Sequence, residues 1–221
     1  VHYAEVYNQW QKNAVPLEGV KEFVENYRSN PETDFHSLVA EMASIPRKQA
    51  KTINLGIIYG MGAKKLAEQL DLSLEEAKEL TAKYHSRVPF VNSAYLRSLR
   101  GRRLTFDQWE PATFALTKAY KRPEAEQKYG RVNLKRAYTY KSLNKLIQGS
   151  AADMTKQAMV DVFKAGIVPL VQVHDELCCS VTNEAQALEI KKIMEEAIPL
   201  EIPSRCDLEI GPSWGEIIDI T

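Results

Sequence analysis

Only three cysteines occur in the 221 residues, and two of them, Cys178 and Cys179, are adjacent, with Cys206 alone. That scarcity excludes a disulfide framework and the paired spacing of a structural zinc site, and it predicts buried thiols in a reducing compartment. Long hydrophobic runs are also lacking. None approaches the ~20 apolar residues that a membrane helix needs, so no membrane partner is expected. The opening Val1-His2-Tyr3-Ala4-Glu5 has neither the basic nor the apolar region of a signal peptide, and the expected location is cytoplasmic. Glycine and proline stand at ten each, against 44% apolar and 26% charged residues, which rules out collagenous and disordered classes. There is no internal repeat and no low-complexity tract, and the length allows one large domain or two small ones with a real core.

An excess of charge of one sign is missing too: lysine plus arginine and aspartate plus glutamate number 29 each. The distribution is nevertheless lopsided. From Arg87 to Lys145 there are 14 basic and 4 acidic residues, whereas from Thr182 onward there are 3 basic and 9 acidic. A neutral chain polarised in this way can present a concentrated positive surface to a phosphate backbone. A solvated helical face would explain such a block equally well.

Periodicity and breakers give the organisation. Val20 to Tyr27 is an amphipathic helix ended by Ser29-Asn30-Pro31, and Asp34 can cap a second helix from Phe35 to about Met42. Ser44 can cap the next helix, in which Pro46 suits the first turn and Arg47 to Tyr59 runs until Gly60-Met61-Gly62. Lys64 to Leu70 and Ser73 to Tyr84 follow, the latter opened by a Ser73-Leu74-Glu75-Glu76 capping box, so residues 12–90 are expected to be almost wholly helical. The basic middle is expected to contain a turn at Gly101-Arg102-Arg103, a break at Trp109-Glu110-Pro111 and a loop from Pro123 to Gly130. Tyr138 to Gln148 reads as helix, and Ser150-Ala151-Ala152-Asp153 as a capping box starting another that ends at Gly166. Ile167 to Val173 and Leu177 to Val181 read as strands, which would put His174-Asp175-Glu176 at a hairpin tip. A helix from Ala185 to Ala197 and an edge-like strand around Leu208-Glu209-Ile210 complete the chain. The fold class is α+β, a helical lobe with a small antiparallel sheet carrying helices on one face.

Three groupings carry chemistry. Arg47, Lys51, Leu55 and Tyr59 recur every four residues, forming a gently winding stripe of about 18 Å on one helix. Two cations at the positive end of the helix dipole, then an apolar and an aromatic side chain, suit a nucleoside triphosphate. Gly56 and Gly60 are expected to expose backbone to a close-approaching base pair. At the hairpin tip, Asp175 and Glu176 beside His174 offer the hard oxygen ligands that magnesium prefers, as two-metal nucleotidyl transfer requires. Asn144 and Gln148 lie one helical turn apart before Gly149-Ser150, and amides can donate to acceptors common to all base pairs in the minor groove. Each grouping by itself is compatible with an ordinary helix face, polar turn or helix end.

Taken in order, the three resemble one family. Arg47-Lys48-Gln49-Ala50-Lys51-Thr52-Ile53-Asn54-Leu55-Gly56-Ile57-Ile58-Tyr59-Gly60 resembles the fingers helix, motif B, of the family A (DNA polymerase I-like) DNA polymerases. Val171-Gln172-Val173-His174-Asp175-Glu176-Leu177 resembles their palm motif C. Asn144 with Gln148-Gly149-Ser150-Ala151-Ala152-Asp153 is similar to the segment between them, Asp34-Phe35-His36 to a short fingers motif, and Gly211-Pro212-Ser213-Trp214 to the C-terminal end. The likeness covers essentially the whole chain and is nearest in character to phage enzymes, which would place the protein in a bacterial host cell.

The resemblance implies a helical fingers subdomain, residues 12–135, inserted into an antiparallel-sheet palm made of residues 1–11 and 136–221. It implies that His36, Arg47 and Lys51 contact the incoming triphosphate, that Lys51 also protonates the leaving pyrophosphate, and that Leu55 faces the sugar. Tyr59 would stack near the template base. Asn144 and Gln148 would follow the primer–template minor groove, His174 would lie near the primer terminus, and Arg102 and Arg103 would grip DNA backbone, a role a plain phosphate-neutralising patch would also explain. Asp175, with Glu176 beside it, would bind Mg2+, two ions serving the complete enzyme. The implied partners are primer–template DNA, dNTPs and an upstream segment or subunit carrying the thumb and the family's other catalytic aspartate. That aspartate belongs to motif A, a few residues upstream of a segment resembling Val1-His2-Tyr3-Ala4, so this chain alone is expected to be catalytically incomplete. Two further departures are a span between Pro89 and Gly101 about one helix shorter than the family pattern, and Leu55 where Phe or Tyr is usual. The alternatives are a single-subunit RNA polymerase, against which Glu176 and Gln148-Gly149 argue, and a non-catalytic DNA-binding remnant.

Overall fold

The computed structural model describes residues 1–10, 16–17, 19–30, 32–43, 46–59, 61–86, 95–113, 118–131, 133–213 and 215–219. Ser44, Gly60 and Trp214, and residues 89–94 of the shortened span, lie outside these. The chain divides into a continuous unit, Asp34–Gly149, and a discontinuous unit, Val1–Thr33 with Ser150–Thr221.

The continuous unit begins with helices. Asp34 opens α3 (Phe35–Ala43), following α1 (His2–Trp10) and α2 (Val20–Ser29) of the other unit. Its carboxylate accepts from the His36 N–H at 3.0 Å and its carbonyl from the Leu38 N–H, so it caps the helix as expected. Helix α4 (Arg47–Ile58) turns Ala50, Ile53 and Asn54 inward. Ile53 packs with Leu66, Ala67 and Leu70 of α5 (Ala63–Leu70) and Ala77 of α6 (Leu74–Ser86). Burying a side chain such as Leu66, fully out of water, contributes about 1.5–3 kcal/mol. The expected capping box of α6 is present: Ser73 Oγ accepts from the Glu76 N–H, and Glu76 Oε2 accepts from the Ser73 N–H.

The basic middle holds more regular structure than its punctuation suggested. Strand β1 (Tyr95–Arg97) pairs antiparallel with β2 (Arg103–Thr105) around a turn in which Gly101 has φ +74°. Trp109-Glu110-Pro111 is not a break but strand β3, paired with β4 (Leu134–Arg136) in the register Trp109↔Arg136. In a two-stranded ladder β3 is an edge strand, where proline is tolerated. Pro123 to Gly130 is not a loop either: it falls in helix α7 (Arg122–Tyr129). Proline in the first turn and glycine just past the end are helix signals rather than breakers. With only Ala125 buried, α7 leans on its i,i+4 pairs Arg122–Glu126 and Glu124–Lys128, so hydrophobic periodicity could not reveal it.

A further correction concerns residues 142–164. After a 3-10 turn at Thr139–Lys141, α8 runs unbroken from Ser142 to Lys164. Ser150 and Asp153 are buried within it rather than opening a new helix. Gly149 does not interrupt it; a Cβ there would come within 2.9 Å of Leu104 Cδ1, so the glycine serves close packing against β2. Gly166, at φ +85°, ends the helix as expected. Its N–H is bonded to the Phe163 carbonyl and the Ile167 N–H to that of Val162.

In the discontinuous unit, β5 (Pro169–Val173) and β6 (Glu176–Cys179) form a hairpin, and Asn183 caps α9 (Glu184–Glu196) by accepting from the Gln186 N–H at 2.9 Å. Val162, Ile167 and Ile190 form the core, with Cys179, Ile193 and Met194 against it. The strand near Ile210 is half of a second hairpin, β7 (Glu209–Ser213) with β8 (Glu216–Asp219). The class is α+β, but instead of one small sheet the described residues form four two-stranded ladders. The three cysteines are half-buried rather than buried, and burial pushes the Cys179 and Cys206 thiols up. No helix of the described residues is long and apolar enough to cross a membrane.

Candidate active site

Because α4 buries Ala50, Ile53 and Asn54, helical geometry forces the intervening stripe outward. Arg47, Lys51, Leu55 and Tyr59 are all exposed, Leu55 at 38% and Tyr59 at 59%. Among the described residues Lys51 forms no hydrogen bond or ion pair, which leaves its ammonium available to an anion. Gly56 departs from expectation. It is buried, and the space its side chain would take is filled by Met61, whose Sδ and Cε lie 3.1 Å from the Cβ position, so it offers no backbone to a base pair.

Two residues organise this stripe that the sequence did not single out as partners. Asp34 Oδ2 accepts from Arg47 Nε at 2.5 Å and from Ser37 Oγ at 2.7 Å. The Arg47 and Ser37 hydrogen bonds hold its carboxyl well below the usual carboxylate range. Among the described residues only Nε of Arg47 is engaged, and the side chain is exposed. Asn54, only 2% exposed, donates from Nδ2 to His36 Nδ1 at 3.2 Å. With Nδ1 accepting, the neutral ring carries its proton on Nε2. Asn54 was legible as a polar residue on the apolar face of α4, whereas Asp34 and Arg47 stand at the starts of different helices, thirteen residues apart, and their contact has no sequence signal.

Asn144 and Gln148 project from the first part of α8, and Gln148 Nε2 donates to the Tyr59 hydroxyl at 3.1 Å. The continuous unit thus brings together the expected template-stacking and minor-groove residues. Arg102 donates from Nη2 to the Gly149 carbonyl at 2.7 Å, which ties the β1–β2 hairpin to the same stretch of α8, and Arg103 is exposed at the start of β2. A cavity of about 390 Å³ beside Asn144 is lined by Phe106, Tyr138, Lys141 and Lys145 among others.

His174, Asp175 and Glu176 lie in the discontinuous unit. Val173 pairs with Glu176, so His174 and Asp175 alone form the tip and Glu176 begins β6. His174 has φ +54°, a conformation that costs a non-glycine residue about 1–3 kcal/mol. Positive φ at the first tip position only is the sign pattern of a type II′ turn, which matches strand twist. All three side chains are exposed. In kind, the two carboxylates fit a hard divalent cation. In number they do not complete its ligand set, since no group of three or more acidic, His or Cys side chains able to hold a metal occurs among the described residues.

Comparison with known proteins gives the family. A solved structure of the POL domain of Pol1 from M. smegmatis, in complex with DNA primer-template and dNTP, matches 81% of the chain with a TM-score of 0.55 and 30% identity, and the chain covers 34% of it. The fold is therefore of the polymerase POL-domain class. The model for DNA polymerase family A matches residues 17–216, and the chain belongs to that family. It is 36% identical over 237 residues to a DNA-directed DNA polymerase of Pseudomonas phage M6, covering 86% of this chain and 32% of the phage protein. It is 34% identical to the thermostable DNA polymerase I of Thermus aquaticus, over 76% of this chain and 20% of that enzyme. The chain thus spans a third or less of the length of these relatives.

Proposed function

We propose that this chain forms the fingers, residues 12–135, and most of the palm, residues 1–11 and 136–221, of a DNA-directed DNA polymerase. The reaction is template-directed transfer from a dNTP to a primer 3′-hydroxyl: the primer oxygen bonds to the α-phosphorus, the bond to the pyrophosphate oxygen breaks, and pyrophosphate leaves. The observation that carries the reading is the exposed Arg47–Lys51–Leu55–Tyr59 stripe, whose last residue is hydrogen-bonded to Gln148. Arg47, Lys51 and His36 bind the triphosphate, the last through Nε2–H, and Lys51 gives a proton to the leaving pyrophosphate. Tyr59 stacks near the templating base, and Asn144 and Gln148 follow the minor groove. His174 sits near the primer terminus, while Arg102 and Arg103 neutralise backbone phosphates.

Asp175 and Glu176 would hold magnesium, which when bound supplies positive charge to the reacting oxygens. Two carboxylates are a short ligand set, and no third acidic, His or Cys side chain joins them among the described residues. The chain by itself is therefore catalytically incomplete and works with a segment or subunit that brings the family's other catalytic aspartate and the thumb. The test is Asp175→Asn in the polymerase that contains the chain. Removing a ligand's charge while leaving the phosphate contacts intact should lower kcat by roughly three orders of magnitude or more with primer–template affinity nearly unchanged. Normal turnover would remove Asp175 from the metal site.

A further inference from the structure

Duplex and triphosphate binding by the residues above account for only part of the basic block. Between Lys118 and Arg136 there are 7 basic and 2 acidic residues, and β3, α7 and β4 gather them around two aromatic plates. Trp109 lies opposite Arg136 in the β3–β4 ladder and is bridged by reciprocal backbone hydrogen bonds to Tyr120. Arg136 and Arg122 sit over the Trp109 ring with Cζ at 4.6 and 4.9 Å from its centroid. Lys128 and Lys118 sit over the Tyr120 ring with Nζ at 4.1 and 5.5 Å. Four cations are thus held on two neighbouring rings whose backbones are bonded to each other.

This arrangement selects a ligand. An arginine or lysine is rich in rotamer entropy, and stacking on a ring removes much of it before any ligand arrives. With two cations over each ring, the site offers N–H donors in place of a bare stacking platform. The matching ligand is a series of anions. Glu126 holds Arg122 and Arg131 by Nε, at 2.9 and 3.4 Å, and Glu124 lies 3.8 Å from Lys128. These surface pairs are worth little, and the Glu126 contacts are made through Nε and not the terminal guanidinium nitrogens. The array is also continuous with the proposed duplex contact. Arg136 Nη1 donates to the carbonyl of Phe106, which lines the same cavity as Lys141, Lys145 and Asn144.

We propose that the Trp109–Tyr120 cation array is a second nucleic-acid contact, binding the phosphodiester backbone of a strand beyond the stretch touched by Asn144 and Gln148. It rests on the polymerase reading for the identity of the strand, but its own chemistry is phosphate binding by Arg122, Lys128 and their stacked neighbours.

The test is equilibrium binding of the full chain to fluorescent DNA across a salt series, using a blunt duplex, a duplex with a single-stranded overhang, and a single strand. Each phosphate that a variant no longer neutralises lowers the slope of log Kd against log salt by about 0.9 on duplex and about 0.7 on single strand. Arg122→Gln with Lys128→Gln should therefore flatten the slope by about 1.4–1.8. Arg122→Lys, which keeps the charge, should retain the slope. Flattening confined to the overhang and single-strand arms assigns the array to single-stranded DNA, and flattening in the blunt arm assigns it to duplex. An unchanged slope in every arm overturns the proposal. Asn144→Ala with Gln148→Ala serves as the separate arm: if it leaves duplex binding intact while the array variant flattens the slope, the array stands and the minor-groove reading falls.

Discussion

Asp34 is joined to Arg47 across the junction of α3 and α4, its Oδ2 accepting from Nε at 2.5 Å while its Oδ1 accepts from the His36 N–H at 3.0 Å. One carboxylate therefore caps the helix that carries His36 and orients Arg47, the first cation of the exposed α4 stripe. Asparagine caps a helix about as well as aspartate, so Asp34→Asn isolates the charge and Asp34→Ala removes both roles. The Ala variant should melt about 2–4 °C lower at neutral pH.

The same pair has an acid signature. The folded-state carboxyl titrates below its ordinary value of 3.8, because Arg47 and Ser37 hydrogen-bond its charged form. Below pH 3.8 the unfolded chain takes up the proton first, so the stabilisation is fully present above that pH and is lost as pH falls toward the folded value. Asp34→Asn should lack this component. Identical acid unfolding profiles for the two proteins would show that the carboxylate is not held.

Asn54 is predicted to set the tautomer of His36. Its buried amide donates to Nδ1, leaving Nε2–H as the donor for the proposed phosphate contact. Nitrogen-15 NMR of the imidazole should report the Nε2–H form in the wild type and a shift toward Nδ1–H in Asn54→Asp, whose carboxylate accepts instead of donating. Asn54→Leu takes the donor away from the half-buried Nδ1 of His36 and should cost about 1 kcal/mol, read as a lowered denaturant midpoint.

Leu55 is predicted to govern sugar selection. It is exposed midway along the stripe and packs without hydrogen bonding. A dideoxynucleotide lacks a polar group near its own phosphates that leucine cannot replace, whereas a tyrosine hydroxyl could. Such a donor is worth about 1–3 kcal/mol, or roughly ten- to a hundredfold in selection. In the polymerase containing this chain, Leu55→Tyr should relax discrimination by that factor when deoxy- and dideoxynucleotides compete on one template. Equal selectivity in the two enzymes would make Leu55 a packing residue.

Gly211 is predicted to be intolerant of any side chain. A Cβ there would overlap the backbone carbonyl of Glu216 on the paired strand, and backbone cannot rotate aside as a side chain can. Gly211→Ala should destabilise by about 1–3 kcal/mol. Gly149→Ala should be milder, because its neighbour is the flexible end of Leu104 and alanine favours helix. Chemical denaturation of the two variants decides the order.

The sequence by itself determined the features set by local rules. Asp34, Ser73-Glu76 and Gly166 act where their side chains or lack of one suit a helix end. The four-residue spacing of Arg47, Lys51, Leu55 and Tyr59 placed them on one exposed stripe because the helical repeat leaves no other choice. The ordered motifs were enough to indicate the family. Tertiary structure decided what depends on residues far apart in the chain. Trp109-Glu110-Pro111 became a strand because Leu134–Arg136 pairs with it, and α8 stayed whole through Gly149 because Leu104 fills the space beside it. Gly56 was turned from an open surface into a buried seat for Met61. The grips of Asp34 on Arg47 and of Asn54 on His36, and the stacking of Arg122 and Arg136 on Trp109, arise from contacts between separate elements. Such contacts are set by how helices and strands pack, and no spacing within a single element encodes them.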